Sequence, residues 1–211
     1  MAQHALEERL REGLTELHPA TTPGQISSLN HFLRLLEKWN RAFNLSGVRD
    51  TNEMVTRHLL DSLTALPYLH GISIVDVGSG AGLPGVPLAI IESRRRFTLV
   101  DSGGKKIRFL RHALGELALT NVSLVHQRVE DYSPVEAFDT VICRAFTSLS
   151  SFVRRCGRLS ASGGRLVAMK GRAPADELAE LPPDWQATQV IAVAVPGLAG
   201  QRHIVVLERK E

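Results

Sequence analysis

Cysteine occurs only twice in the 211 residues, at positions 143 and 156, and neither lies in a CxxC or Cys/His spacing. That excludes a disulfide framework, suits a reducing compartment and predicts no structural zinc. Aromatic side chains make up 5% of the chain, too few for a stacking platform along single-stranded nucleic acid. No apolar run approaches the roughly 18 residues of a membrane span. The first segment, MAQHALEERLREGL, is charged throughout and has no apolar signal core. A soluble, cytoplasmic chain without a membrane partner is therefore expected. Charge of neither sign dominates: 25 Lys and Arg against 22 Asp and Glu leave +3, which permits an anionic partner without establishing one.

What is present suits one domain with an extension, since 44% of the residues are hydrophobic. Residues 1–70 are predicted to be a helical extension. Leu6, Leu10, Leu14 and Leu17 recur at helical spacing, and Ile26, Leu29, Leu33, Leu36 and Phe43 form a second stripe. Thr22-Pro23-Gly24-Gln25 has the order of a capping box with Pro at the first helical position. Asp50 with Glu53 offers another capping pair, followed by Val55, Leu59, Leu63 and Leu66, with Pro67 closing that helix.

Residues 71–211 alternate short apolar runs with helical patterns. Strands are predicted over 72–77, 97–100, 122–126, 138–143 and 165–170, with helices near 86–91, 104–118 and 148–159. Alternation of that kind implies a parallel sheet. The runs 186–195 and 203–209 are joined only by a short loop, too short for a parallel crossover, so they should be antiparallel. The fold class is α/β, a mostly parallel seven-stranded sheet ending in an antiparallel hairpin.

The glycine-rich segment VDVGSGAGLPG (75–85) follows the first strand and opens a helix. Gly78, Gly80 and Gly82 allow a sharp turn and close backbone approach to a ligand. Asp76 can orient the loop or reach a ligand's amino group through water. Asp101, nineteen residues past Gly82 at the end of the second strand, can accept both hydroxyls of a ribose. Gly80-x-Gly82-x-x-Gly85 also satisfies the dinucleotide fingerprint, so an NAD(P)-dependent oxidoreductase stays open. Gly78, Asp76 and the closing hairpin favour S-adenosylmethionine. A non-catalytic RNA-binding module is a third reading, but it needs none of these residues in register. Beyond the third strand, the Val129 and Glu130 backbone lies where it can read an adenine edge; the alternative for Glu130 is a solvated loop acid.

The fourth strand ends in Cys143-Arg144-Ala145-Phe146. This is neither the Asn/Asp-Pro-Pro-aromatic pattern of amine methylation nor the Pro-Cys of attack on a pyrimidine. Cys143 is expected to be a small apolar filler, with a nucleophile as the alternative. An acceptor with its own lone pair, such as guanine N7, needs neither base nor nucleophile, and alignment then carries the rate. Arg144 can orient guanine O6 or grip the methionine carboxylate; its guanidinium should face an anionic or carbonyl oxygen, and a structural salt bridge is the alternative. Arg128, Lys170, Arg202 and His203 share the carboxyl-end face. Arg94-Arg95-Arg96 lies at the opposite end. Lys105, Lys106, Arg108, Arg111 and His112 stud one helix and should be a solvated face, with RNA contact as the alternative. His58 and Asp61, at i,i+3, should form a structural pair.

Several of these blocks together resemble the glucose-inhibited division protein B family, the bacterial 16S ribosomal RNA guanine-N7 methyltransferases. They are Lys38-Trp39-Asn40 with Phe43-Asn44-Leu45, the run 57–62 (RHLLDS), the run 76–87 (DVGSGAGLPGVP), 99–102 (LVDS), Arg128-Val129-Glu130, Arg144-Ala145-Phe146, Lys170-Gly171 and Arg202-His203. The resemblance implies a Rossmann-like class I methyltransferase. It implies cofactor contacts at Gly78, Leu83, Val129, Glu130 and Arg144, and an RNA-facing cluster of Arg128, Arg144, Lys170 and Arg202. It also implies 16S ribosomal RNA, or the small ribosomal subunit, as partner; a monomer is expected. Cys143 departs from the family, where serine is expected.

Overall fold

Thr22 starts the longest helix as its sequence predicts. Its hydroxyl accepts the Gln25 N–H at 3.3 Å, and the Gln25 side-chain oxygen accepts the Thr22 N–H at 2.8 Å. This reciprocal arrangement satisfies two donors that would otherwise be orphaned at the helix start. A computed structural model describes residues 2–146 and 148–210. In it α1 (Ala2–Leu17) and α2 (Pro23–Phe43) bury Leu10, Leu14, Ile26, Leu29, Leu33 and Leu36. Phe43 leaves the stripe. It sits in the last turn before Asn44 adopts a left-handed conformation, is 38% exposed, and stacks on Trp39 at 5.2 Å instead.

The next helix, α3 (51–63), begins on Asp50, whose carboxylate accepts the Asn52 N–H at 2.8 Å. Glu53 does not close the expected capping pair; it reaches Arg57 one turn on, at 3.4 Å. Val55–Leu60 is wound as a π-helix, and α3 stops at Leu63. Pro67 lies in a separate 3-10 turn, Leu66–Tyr68, rather than closing the helix. Among the described residues no helix is long and apolar enough to cross a membrane.

Seven strands follow: β1 (Ser73–Val77), β2 (Arg96–Asp101), β3 (Val122–His126), β4 (Phe138–Arg144), β5 (Ser160–Lys170), β6 (Trp185–Ala192) and β7 (His203–Arg209). Their order is β3-β2-β1-β4-β5-β7-β6. The first five are parallel, and β7 runs antiparallel between β5 and β6. The expected mostly parallel sheet with a closing antiparallel hairpin is what forms. β5 starts at Ser160, before its apolar stretch, with a register shift against β4 between Phe138 and Thr140; polar residues there hid its first half. Helices α4 (Gly85–Ile91) and α5 (Gly104–Glu116) cover one face, α6 (Leu149–Cys156) covers the other, and α7 (Ala175–Ala179) follows β5.

Alternate strand residues feed two cores. Ile74, Leu99, Ile142, Val167 and Val206 face α1–α5. Val75, Val100, Val141, Leu166 and Val205 face α6 and Trp185. Leu10, Leu29 and Phe32 of the extension belong to the same core as Leu88 and Phe109, and the rings of Phe32 and Phe109 lie 6.1 Å apart. Burying such a side chain contributes about 1.5–3 kcal/mol, so several together hold the extension on the sheet. The consequence for the site is that the end of α3 is held against the carboxyl ends of β4 and β5.

Candidate active site

The loop after β1 folds back onto β2. Gly78 and Ser79 both donate to the Val100 carbonyl, at 2.8 and 3.1 Å. Gly78 and Gly82 have φ of 68° and 83°, a region that costs a side chain about 1–2 kcal/mol. Their surroundings differ. A Cβ on Gly82 would lie 2.6 Å from Val86 Cγ2 and 2.7 Å from Leu110 Cδ2, whereas a Cβ on Gly78 would meet nothing within 4 Å. Gly82 is packed from below and Gly78 borders open space. Leu83 is buried beneath the loop, its N–H donating to Ser79 O at 2.9 Å.

Asp76 is fully buried. Its Oδ2 accepts the Gly85 N–H at 2.8 Å, so the carboxyl caps α4 from inside the sheet, and Oδ1 has no partner. Burial pushes this carboxyl up to about 7, against the opposing pull of the Gly85 N–H and the Arg144 charge. Asp101, 7% exposed, accepts from Gly80 N–H at 2.8 Å and Gly103 N–H at 2.7 Å through different oxygens, with Lys106 Nζ 3.7 Å away. Each oxygen keeps a second lone pair for a hydroxyl donor. The carbonyls of Val129 and Glu130 accept from Arg158 Nη2 at 2.6 and 3.0 Å, and the Glu130 carboxylate pairs with Arg155 at 3.2 Å. Neither arginine was foreseen from the sequence.

At the end of β4, Arg144 turns toward a carbonyl and a carboxylate of the protein itself, the salt bridge that was the alternative for it. Its Nη1 donates to Arg57 O at 3.0 Å and to Asp61 Oδ2 at 3.3 Å. Arg202 Nε donates to Asp61 Oδ1 at 2.8 Å. The expected His58–Asp61 pair does not form: His58 Nε2 meets Ser46 Oγ at 2.7 Å. Burial, and then the Arg144 charge, lower the imidazole to about 4, so it is neutral at physiological pH. Arg57, Asp61, Arg144, Met169, Lys170 and Arg202 line a cleft of about 380 Å³. Lys170 Nζ is paired with Glu177 at 2.8 Å. Arg128 is exposed past β3 and does not line this cleft. A larger groove of about 450 Å³, between α1 and Gly197, carries Glu8, Glu12 and Glu16 and none of the carboxyl-end residues.

Cys143 is buried, which pushes its thiol well above the usual range, so it supplies no thiolate. With His58 engaged, Asp61 held by two arginines and Asp76 buried within β1, the cleft can orient a ligand and, among the described residues, offers no exposed general base. The sequence missed Asp61 as the hub of this cleft. The signal available was the RHLLDS block, a carboxylate in the extension lying outside what a nucleotide-binding sheet needs.

The GidB family model, described as rRNA small subunit methyltransferase G, matches residues 25–205. The chain is 49% identical over 205 residues to the ribosomal RNA small subunit methyltransferase G of Alkalilimnicola ehrlichii, covering 97% of this chain and 93% of that protein. To the protein of the same name in Marinobacter nauticus it is 47% identical, over 96% and 95% of the two chains. Among solved structures it is similar to a precorrin-6y C5,15-methyltransferase from Geobacter metallireducens, with a TM-score of 0.55 and 16% identity over 80% of this chain and 93% of that one. That last likeness is one of fold.

Proposed function

This chain belongs to the GidB family, rRNA small subunit methyltransferase G, and on that premise we propose that it transfers the methyl group of S-adenosylmethionine to N7 of a guanine in 16S ribosomal RNA, acting in the cytoplasm as a monomer. The observation that carries the reading is the open space over Gly78, flanked by Asp76 and Asp101 and one strand away from the Arg144 cleft.

The residues fit this cofactor. Asp101 offers acceptors for two ribose hydroxyls, the Val129 and Glu130 backbone lies beyond β3 for the adenine, and Asp76 Oδ1 is a buried acceptor without a partner. A dinucleotide fits less well. Its pyrophosphate would take the N-terminus of α4, where Asp76 already caps Gly85. Bound S-adenosylmethionine supplies an electrophilic methyl carbon on a sulfonium sulfur. The chain's own part is then alignment. Guanine N7 carries no proton to remove, which agrees with a cleft that offers no general base. Arg144 orients either guanine O6 or the methionine carboxylate through the part of its guanidinium that Asp61 does not hold. Arg128, Lys170 and Arg202 face the RNA.

The direct test is methyl transfer from labelled cofactor to small ribosomal subunits and to free guanosine, with the modified atom located by mass spectrometry. Transfer to N7 within the subunit RNA alone is expected; efficient turnover of free guanosine would sink the proposal. Asp101→Asn keeps an acceptor but loses charge, and should weaken cofactor binding about tenfold by calorimetry.

A further inference from the structure

Two guanidiniums share one buried carboxylate at the cleft. Arg202 and Arg144 reach opposite oxygens of Asp61, which is 4% exposed, so these charges interact at an effective dielectric well below that of water. The other cations lining the cleft have their own partners: Lys170 has Glu177 and Arg57 has Glu53. Four cations thus stand against three carboxylates. Without Asp61 the excess positive charge would double.

That excess matters because Arg144 acts on the glycine loop as well as on the cleft. It ends β4, the strand paired with β1, two residues past the Ile142 that stands opposite Asp76, so it borders the loop that carries Gly78, and its charge acts on the buried Asp76 carboxyl. A sulfonium is a cation, and two uncompensated guanidiniums beside it are repulsive. RNA is an anion and favours those same arginines. Asp61 comes from α3 in the helical extension, whereas Arg144 ends β4 and Arg202 precedes β7.

We propose that Asp61 is a positioning residue that holds Arg144 and Arg202 as a charge-balanced fork, so that the site accepts a sulfonium cation beside two arginines intended for RNA. The inference rests on the S-adenosylmethionine reading above. It implies that Asp61 sets the relative affinity for S-adenosylmethionine and S-adenosylhomocysteine. These two ligands share every group except the methyl and the charge it creates.

Calorimetry with both ligands tests this without recourse to activity. In Asp61→Asn the dissociation constant for S-adenosylmethionine should rise about tenfold, and that for S-adenosylhomocysteine by less than about threefold. Asp61→Glu should keep the wild-type ratio, and adding Arg202→Gln to Asp61→Asn should restore it. Equal weakening of both ligands would mean that Asp61 only supports the fold of the cleft, and would overturn the proposal, as would no change in either. If Asp61→Asn does not fold, Arg202→Gln alone decides: it should favour S-adenosylmethionine over S-adenosylhomocysteine several-fold, and an unchanged ratio refutes the idea. A wild-type protein that binds neither ligand refutes the cofactor reading itself, and this inference with it.

Discussion

The glycine loop and the arginine cleft lie side by side at the carboxyl end of one sheet, yet they are built by opposite means. The loop is local: Asp76, Gly78, Gly82 and Gly85 lie within ten residues, and its fixed points are backbone groups held by the adjacent β2. The cleft is assembled at long range. Asp61 and Arg144 are 83 residues apart, and Asp61 and Arg202 are 141 apart. The two carboxyls beside the loop, Asp76 and Asp101, are held by backbone N–H groups. The cleft gathers charge and balances it with a residue from another layer. On the proposed reading the loop takes the cofactor and the cleft takes the RNA, and the division suits the two ligands.

The largest effect that can break this comparison lies inside the loop. Gly82→Ala combines a left-handed backbone with clashes against Val86 and Leu110, and should destabilise the fold by about 2–4 kcal/mol, read from a denaturant midpoint. Gly78→Ala faces open space and should lose only about 1 kcal/mol of stability. Its methyl group instead enters the ligand's volume, so cofactor binding should suffer more than stability does. If both variants lost stability equally, the open space over Gly78 would not distinguish a binding surface from packing.

The next effect lies in the cleft. Arg144→Ala should slow methyl transfer on the order of 10²-fold, because a charged hydrogen bond and the alignment it gives are lost together. Lysine should rescue little, since Nη1 alone serves the Arg57 carbonyl and Asp61, and an ammonium held at those two oxygens cannot present to the ligand the rest of the planar guanidinium. The rate should stay flat from about pH 7.5 to 9, since arginine does not titrate there and no base is needed. A loss of cofactor affinity without loss of rate at saturation would assign Arg144 to the methionine carboxylate.

The same contrast explains what the sequence made legible. Strand alternation, the closing hairpin, the Thr22–Gln25 box and the glycine loop depend on short spacings, and all were recoverable. The place of Arg144 at the end of β4 was legible, and so was its need for an oxygen partner. Which oxygen was not identifiable, because Asp61 meets it only after α3 has docked. The i,i+3 spacing of His58 and Asp61 suggested a local pair. The π-helical winding over Val55–Leu60 and the competing partners Ser46 and Arg202 override it. The Lys170–Glu177 ion pair and the grip of Arg158 on the Val129 and Glu130 backbone carbonyls are likewise contacts whose spacing carries no period.

The smallest effect is one that nearly vanishes in the wild type and emerges when either region is altered. Asp76 in the loop titrates near 7 when folded, against 3.8 for an ordinary carboxyl, chiefly because it is buried. The folded chain therefore keeps a proton that the unfolded chain releases, and this contribution to stability is full below about pH 4 and is lost as pH rises through about 7. His58 in the cleft wall titrates near 4 when folded, against 6.5, again chiefly through burial. Here the unfolded chain takes the extra proton, so stability is present above about pH 6.5 and is lost as pH falls toward 4. Between about pH 4.5 and 6 the two slopes oppose each other, each on the order of 1 kcal/mol per pH unit. Relative to wild type, Asp76→Asn should therefore lose stability on acidification across that window, and His58→Gln should gain it, in urea melts taken at each pH. Slopes that shift in the same direction in both variants would contradict the opposed burial of the two groups. Arg144 is the charge common to both sites, lowering Asp76 and His58 alike. Its removal should move both titrations upward together, which a cation confined to one region would not do.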